Sequence, residues 1–221
     1  MTIASACRDS ASRIETFRAL VNGLDWPADD LRIVVCEGDS VDDTRARLYA
    51  WAEQDARLRV TVCDTGAPRY GSVVNAARFR NLARVFNAAL DAVDLAWSDA
   101  VLFAPFDIDY APSLLRRLAG HGVDMVSPLT WMGNIFYDTW ALTQNGVNWC
   151  NFTRAWADEH LGDRLIEMTT VGGTVLIDAA ILRAGCRYTE AEVDQGLSKC
   201  ARAHGYQLWA DTGMHVYHPQ H

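Results

Sequence analysis

Short apolar runs of strand length alternate with helical patterns through the first half of the chain, and that alternation permits few folds. Thr2 to Cys7, Leu31 to Cys36 and Leu58 to Cys63 are strand candidates, the second rich in β-branched residues. Between them, Ile14, Phe17, Leu20 and Val21 recur at helical spacing, and a further helix is expected from Arg45 to Gln54. This rhythm is the signature of βαβ units and predicts an α/β fold, a mainly parallel open sheet flanked by helices. Two segments near Asp124 to Pro128 and Val175 to Ile177 read as further strands. The tail gives two more, Tyr206 to Ala210 and Met214 onward, after a helix that ends near His204.

The stretch from Asp99 to Tyr110 stands apart. Its apolar run, Ala100 to Phe106, ends in Asp107 and Asp109, and Pro112 then opens a helix at Ser113, Leu114 and Leu115. A strand that delivers two acids to its C-terminal edge places them where open α/β sheets bind ligands. Mn²⁺ or Mg²⁺ takes oxygen ligands, commonly one or two carboxylates plus phosphate oxygens, so acid-x-acid is a sufficient half-site for such a cation. The same pattern also occurs in solvated turns of acidic proteins.

At 221 residues and 50% hydrophobic content, the chain is expected to form a single domain over residues 1–221. A net charge of −8 argues against a broad nucleic-acid or anionic-membrane footprint. The absence of a long apolar run or leader pattern points to a cytoplasmic location, with no membrane span. Six cysteines without C-x-x-C pairing suggest buried thiols, and in that setting the Asn151-Phe152-Thr153 sequon carries no glycosylation meaning.

Between the third strand and the acidic strand, Gly66 to Ser72 reads as a loop, and a helix is expected from about Val74 to Val93. Leu82, Val85, Phe86, Ala89 and Val93 gather on one side, and Arg80, Arg84, Asn87 and Asp91 fall opposite. That stripe is either a solvated face or a place from which Arg80 or Arg84 reaches a diphosphate. From Trp131 to Trp156 the chain carries four of its eight tryptophans among amides and glycines with no sustained period. Such rings can form an acceptor platform or a satellite core under a loop. Gly172 and Gly173 allow backbone to approach a ligand, though a Gly-Gly turn before a strand is common. No Walker loop or dinucleotide fingerprint is present, which disfavours kinases, ATPases and dehydrogenases. His215 and His218 would point to opposite faces of a strand, and His218, beside Pro219, is the better third metal ligand.

Taken together, Ser40-Val41-Asp42-Asp43-Thr44, the Arg80 to Asn87 helix segment, Asp107-Ile108-Asp109, Glu192 to Asp194 and His218 resemble the motifs of nucleotide-sugar-dependent glycosyltransferases of the GT-A fold, broadly the family-2 type. Glu37 with Ser40, Asp42 and Thr44, and the Phe136 to Trp140 segment, look most like the fungal capsule α-mannosyltransferase branch. Two positions depart: Glu37-Gly38 stands where an acid pair is common, and Phe86 replaces the arginine usual before Asn87.

The resemblance implies transfer of a sugar from a nucleotide-diphosphate donor to the hydroxyl of a glycan, a small molecule or a hydroxylated DNA base. It implies that Asp107, Asp109 and His218 hold Mn²⁺ or Mg²⁺ against the diphosphate. Ala6 to Asp9, Arg8 included, and the Glu37 to Asp39 loop would contact the nucleoside, Arg80, Arg84 and Asn87 the phosphates, and Gly172 and Gly173 the donor sugar. An inverting enzyme needs a carboxylate base, Asp194 or Glu192, and a retaining one does not. The rival readings are a nucleotidyltransferase, which normally brings a Gly- and Lys-rich phosphate loop, and a sugar-nucleotide-binding module without turnover.

Overall fold

Thr2–Cys7 forms β1, and its side chains alternate between two cores: Ile3 packs into one and Ala4 into the other. A strand buried on both faces must lie inside a sheet covered on both sides, and the rest of the chain supplies the covers. The computed structural model describes residues 1–70 and 75–219. After β1 come α1 (Ile14–Asn22), β2 (Arg32–Glu37), α2 (Thr44–Gln54), β3 (Leu58–Val62) and α3 (Ala76–Asp91). Then follow β4 (Ala100–Phe103), β5 (Asp109–Tyr110), α4 (Leu114–Gly120), β6 (Met125–Met132), β7 (Ile135–Phe136), β8 (Thr143–Gln144) and β9 (Val147–Asn148). The remainder is α5 (Arg154–His160), β10 (Leu165–Met168), β11 (Val175–Asp178), α6 (Ala179–Arg183), α7 (Asp194–Ala203) and β12 (Leu208–Tyr217).

The main sheet runs β10-β12-β6-β11-β4-β1-β2-β3. The β4-β1-β2-β3 half is parallel throughout, as the strand-helix rhythm predicts. β11 is inserted antiparallel between β4 and β6, and β12 returns parallel to β6. One face is covered by α1, α2 and α4 through Phe17, Leu48, Trp51, Leu114 and Leu118, the other by α3, α6 and α7 through Ala83, Leu90, Ile181 and Leu197. No helix among the described residues is long and apolar enough to cross a membrane.

Several boundaries differ from expectation. β4 stops at Phe103, so Asp107 lies in the turn between β4 and β5 rather than on a strand end. The two tail strands are one, β12, interrupted by a bulge between Asp211 and His215. The bulge is organised by the buried Asp211 carboxylate, which accepts from Arg117 Nε at 2.6 Å and from the Met214 amide at 3.1 Å, with His121 Nε2 2.8 Å away. The expected start of α3 at Val74, and Gly71 and Ser72 of the preceding loop, lie outside the described residues. Asn75 caps that helix through the amides of Ala77 and Arg78.

The cysteines are not all thiols. Cys186 and Cys200 form a disulfide, their Cα atoms 5.5 Å apart, whereas Cys7 and Cys36 are buried thiols. A separation of 14 residues carries no pairing signal; it is the fold of α7 back onto the segment after α6 that brings them together. His204 Nδ1 lies 3.7 Å from Cys186 Sγ.

Candidate active site

A cleft of about 680 Å³ opens along the C-terminal edges of β1 and β4, and a side pocket of about 220 Å³ adjoins it. The side pocket is built by loops that the first strands feed. Asp9 and Asp39 both adopt positive φ, 48° and 58°, a conformation Asp tolerates better than most residues. Each carboxylate fastens a neighbouring loop: Asp9 accepts from the Val41 amide at 2.8 Å, and Asp39 from Thr65 Oγ1 at 2.6 Å and the Gly66 amide at 2.9 Å. Asp39, Arg8, Arg69 and Tyr70 then line the pocket with Gly38. Glu37 does not: it is fully buried, bonded to the Ser40 amide at 2.9 Å and paired with Arg45. Its function is to organise the loop, which corrects the expectation of direct nucleoside contact.

Across the cleft floor Asp107 meets His218, with Oδ2 3.2 Å from Nε2. The turn after β4 presents the acid and the end of β12 presents the imidazole. The Tyr137 ring lies against His218, centroids 4.5 Å apart. Burial works to raise the Asp107 carboxyl, but the hydrogen bond and charge of His218 outweigh it and hold it below the usual range. The same hydrogen bond raises His218. Asp109, by contrast, turns to Arg13, 2.7 Å away, and is not among the cleft-lining residues. Strand alternation would put two residues two apart on one face, but Asp107 lies in the turn before β5, and Asp109, on β5 and paired antiparallel with Tyr217, points to Arg13 instead. His215 also points elsewhere, its Nε2 3.1 Å from the Thr212 carbonyl.

The opposite wall is acidic. Asp194, at the start of α7, accepts from the Gly173 amide at 3.3 Å. Asp138, in the loop after β7, accepts from the Thr130 hydroxyl. Burial pushes Asp194 up to about 6 against two backbone hydrogen bonds. Burial likewise pushes Asp138 up to about 7, and the charge of Asp194 adds to it while the Thr130 bond opposes it. Gly172 and Gly173 are what let these acids close in. A Cβ on Gly172 would sit 2.6 Å from Asp194 Cγ, and one on Gly173, already at φ +65°, 2.5 Å from Asp138 Oδ2. Val193 is held at φ 43°, ψ −107°, outside the regions open to a β-branched residue, and such backbone persists only when its surroundings over-determine it. Its amide is tied to the Thr189 carbonyl at 2.8 Å. Glu192 borders the cleft but pairs outward with Lys199 at 2.7 Å.

Of the residues expected in the site, Ala6, Arg8, Asp107, Gly173, Glu192, Asp194 and His218 line the main cleft, and Ala6, Arg8 and Asp39 the side pocket. Gly172 supports Asp194 from behind. Arg80 is exposed and Arg84 pairs on the surface with Glu190 at 3.0 Å, and neither lines either cavity. Arg78 does, in both. A signal for it was present: Arg78 lies four and eight residues before Leu82 and Phe86, on the inward face. Asn87 is a latch, accepting from the Tyr188 amide at 2.9 Å and donating to its carbonyl at 2.9 Å. Asp138 and Thr174 also line the cleft; each stands in a recognisable sequence segment, but nothing in the sequence marks either as a site residue. The aromatic segment serves two purposes: Trp131 and Phe136 are buried, with the half-buried Phe152 packed against them, while Tyr137 and Trp140 face the cleft. Trp140 is 57% exposed, so a planar face is available beside the acidic wall.

Asp107 and His218 offer one oxygen and one imidazole nitrogen, a set that suits Mn²⁺ and leaves positions for phosphate oxygens; Mg²⁺, which prefers oxygen, fits less well. A basic end at Arg8 and Arg78, the Asp107–His218 pair and an acidic far wall can together accommodate a diphosphate and a hydroxyl-bearing group in line.

The fold is that of the GT-A glycosyltransferases. Over its whole length the chain superposes on Staphylococcus aureus TarS 1–349 in complex with UDP-GlcNAc, with a TM-score of 0.64 and 16% identity, covering 58% of that chain. It superposes over 98% of its length on the mannosyltransferase PcManGT from Pyrobaculum calidifontis in complex with GDP-Man and Mn²⁺, with a TM-score of 0.62 and 18% identity, covering 55% of that chain. The chain thus spans a little under three fifths of these neighbours. No protein-family model and no curated protein matches the sequence.

Proposed function

We propose that the protein is a metal-dependent glycosyltransferase, moving a sugar from a nucleotide-diphosphate donor to an acceptor hydroxyl. The observation that carries this is the Asp107–His218 pair at the sheet's C-terminal rim, with Asp194 on the opposite wall of the same cleft. The nucleoside occupies the side pocket against Asp39 and Gly38, and Arg8 and Arg78, which line both cavities, face the diphosphate. Asp107 and His218 hold a divalent cation, Mn²⁺ in preference to Mg²⁺, which when bound supplies neutralisation of the charge that develops on the departing diphosphate. Asp109 acts at one remove, fixing Arg13 beside the turn that presents Asp107.

Asp194 takes the proton of the attacking hydroxyl. Its raised carboxyl is matched to proton transfer near neutral pH, and Glu192, engaged by Lys199, is left at the rim. Trp140 supplies the acceptor-side face, which suits a glycan ring. The bound ligands of the two structural neighbours, UDP-GlcNAc and GDP-Man with Mn²⁺, support the donor class and leave the nucleobase open. A cytoplasmic location is part of the same proposal; the fungal capsule α-mannosyltransferase branch is the alternative in which configuration is retained and Asp194 is not required as a base.

The test is incubation of the purified chain with UDP- and GDP-sugars and Mn²⁺. Release of nucleoside diphosphate is expected; release of sugar 1-phosphate, the group left behind when the nucleotide is transferred, would point to a nucleotidyltransferase, and binding without release to a non-catalytic module.

A further inference from the structure

The cleft is electrically polarised along its length. Arg8 and Arg78 stand where it meets the side pocket, and Asp138, Asp194 and Glu192 line the part the side pocket does not share. A donor therefore enters in one direction, with its anionic diphosphate at the basic end and its sugar among the carboxylates. Asp138 is placed there with care. The Thr130 hydroxyl holds one carboxylate oxygen, and the other has no hydrogen-bond donor among the described residues. Gly173 is stripped of the Cβ that would strike it. Beside it, the Thr174 hydroxyl lines the cleft, is 1% exposed and has no partner. A buried polar group without a partner signals a missing ligand group, and carboxylates with free acceptor capacity ask for donors.

We propose that Asp138, with Thr174, is a specificity-determining contact that receives the hydroxyls of the transferred sugar and restricts the donor to uncharged hexoses, excluding hexuronates. This rests on the glycosyltransferase reading above. A neutral hexose brings hydroxyls that donate to Asp138 and bond to Thr174 Oγ1. A hexuronate brings a further carboxylate to a wall that already holds Asp138 and Asp194, while Arg8 and Arg78 stand at the other end of the cleft, where it meets the side pocket, and His218 is paired with Asp107. Rejection of a ligand that leaves buried polar groups unpaired is stronger than rejection by shape alone.

The experiment is calorimetric titration of the full chain in Mn²⁺ with UDP and GDP, and then, on whichever nucleotide binds, with the hexose and hexuronate conjugates: UDP-glucose against UDP-glucuronate, or GDP-mannose against GDP-mannuronate. The hexose conjugate is expected to bind at least tenfold more tightly than the hexuronate, and Asp138→Asn to bring the two within about threefold while leaving the nucleoside diphosphate affinity unchanged, since amide for carboxylate removes the repulsion but keeps the shape. Equal or better hexuronate binding by the unaltered protein, or a ratio untouched in Asp138→Asn, would overturn the assignment. Should that variant not fold, Thr174→Val decides: hexose-conjugate affinity is expected to fall several-fold with nucleoside diphosphate affinity unchanged, and no fall overturns it. Failure of the unaltered protein to bind UDP or GDP would instead remove the glycosyltransferase reading, and this inference with it.

Discussion

His218 Nε2 and Asp107 Oδ2 lie 3.2 Å apart, although one closes the last strand and the other occupies a turn in the middle of the chain. Each shifts the other's titration, His218 upward and Asp107 downward. In metal-free protein the raised histidine contributes stability below its unfolded value near 6.5 and loses it as pH rises through the folded value; the depressed aspartate contributes above its unfolded value near 3.8 and loses it as pH falls through the folded one. Denaturation in chelator should therefore show the pair contributing most between about pH 4 and 6.5, and His218→Gln should flatten that region. With Mn²⁺ present, the same variant should lose at least the ~10–100-fold in metal affinity that follows loss of even a supporting partner, read by titration of the cation.

Asp194→Asn should abolish turnover by ~10²-fold or more while sparing nucleoside diphosphate binding. In the unaltered protein the rate should rise with pH through about 6 as Asp194 ionises. Because burial raises this carboxyl, the chain loses stability as pH rises from the unfolded value near 3.8, and the loss is complete above about 6. Asp194→Asn should accordingly be more stable than the parent at pH 8, by at most ~3 kcal/mol, and equal to it near pH 4. A melting series across that range checks the sign.

Gly172→Ala places a methyl 2.6 Å from Asp194 Cγ. Overpacking of this kind costs ~1–3 kcal/mol, and here the strain falls on Asp194, the proposed base, so kcat should fall further than the melting temperature suggests. The variant's kcat, compared with a surface control such as Gly120→Ala, which meets nothing within 4 Å, separates the two effects.

The Cys186–Cys200 disulfide closes a loop of 14 residues, for which chain entropy gives ~3 kcal/mol. Cys200→Ser should lower the melting temperature by roughly 6–12 °C in a chain of this size, and reductant should do the same to the unaltered protein but nothing further to the variant.

The parallel half of the sheet was legible because each strand is a short apolar run between helical patterns, and the acid turn because Asp107 follows the most apolar of them. What could not be read was where side chains turn after leaving regular structure. Asp107 and Asp109 are equivalent in sequence, yet the pairing of Asp109 with Tyr217 sends it to Arg13. Arg80 and Arg84 carry the charge expected of a phosphate contact, but the docking of α3 through Ala83, Ala89 and Leu90 faces them outward and brings Arg78 in. Asp138 acquires its character from burial beside Thr130 and Asp194, residues remote in sequence or on other elements. The disulfide was hidden for the same reason.

Asn87 clasps both main-chain groups of Tyr188, and this joins the helix that carries Arg78 to the segment that leads into Asp194. The two walls are thereby harnessed: a displacement that widens the basic mouth must drag the acidic interior with it. Cutting the clasp with Asn87→Leu would uncouple them, turning one jaw into two.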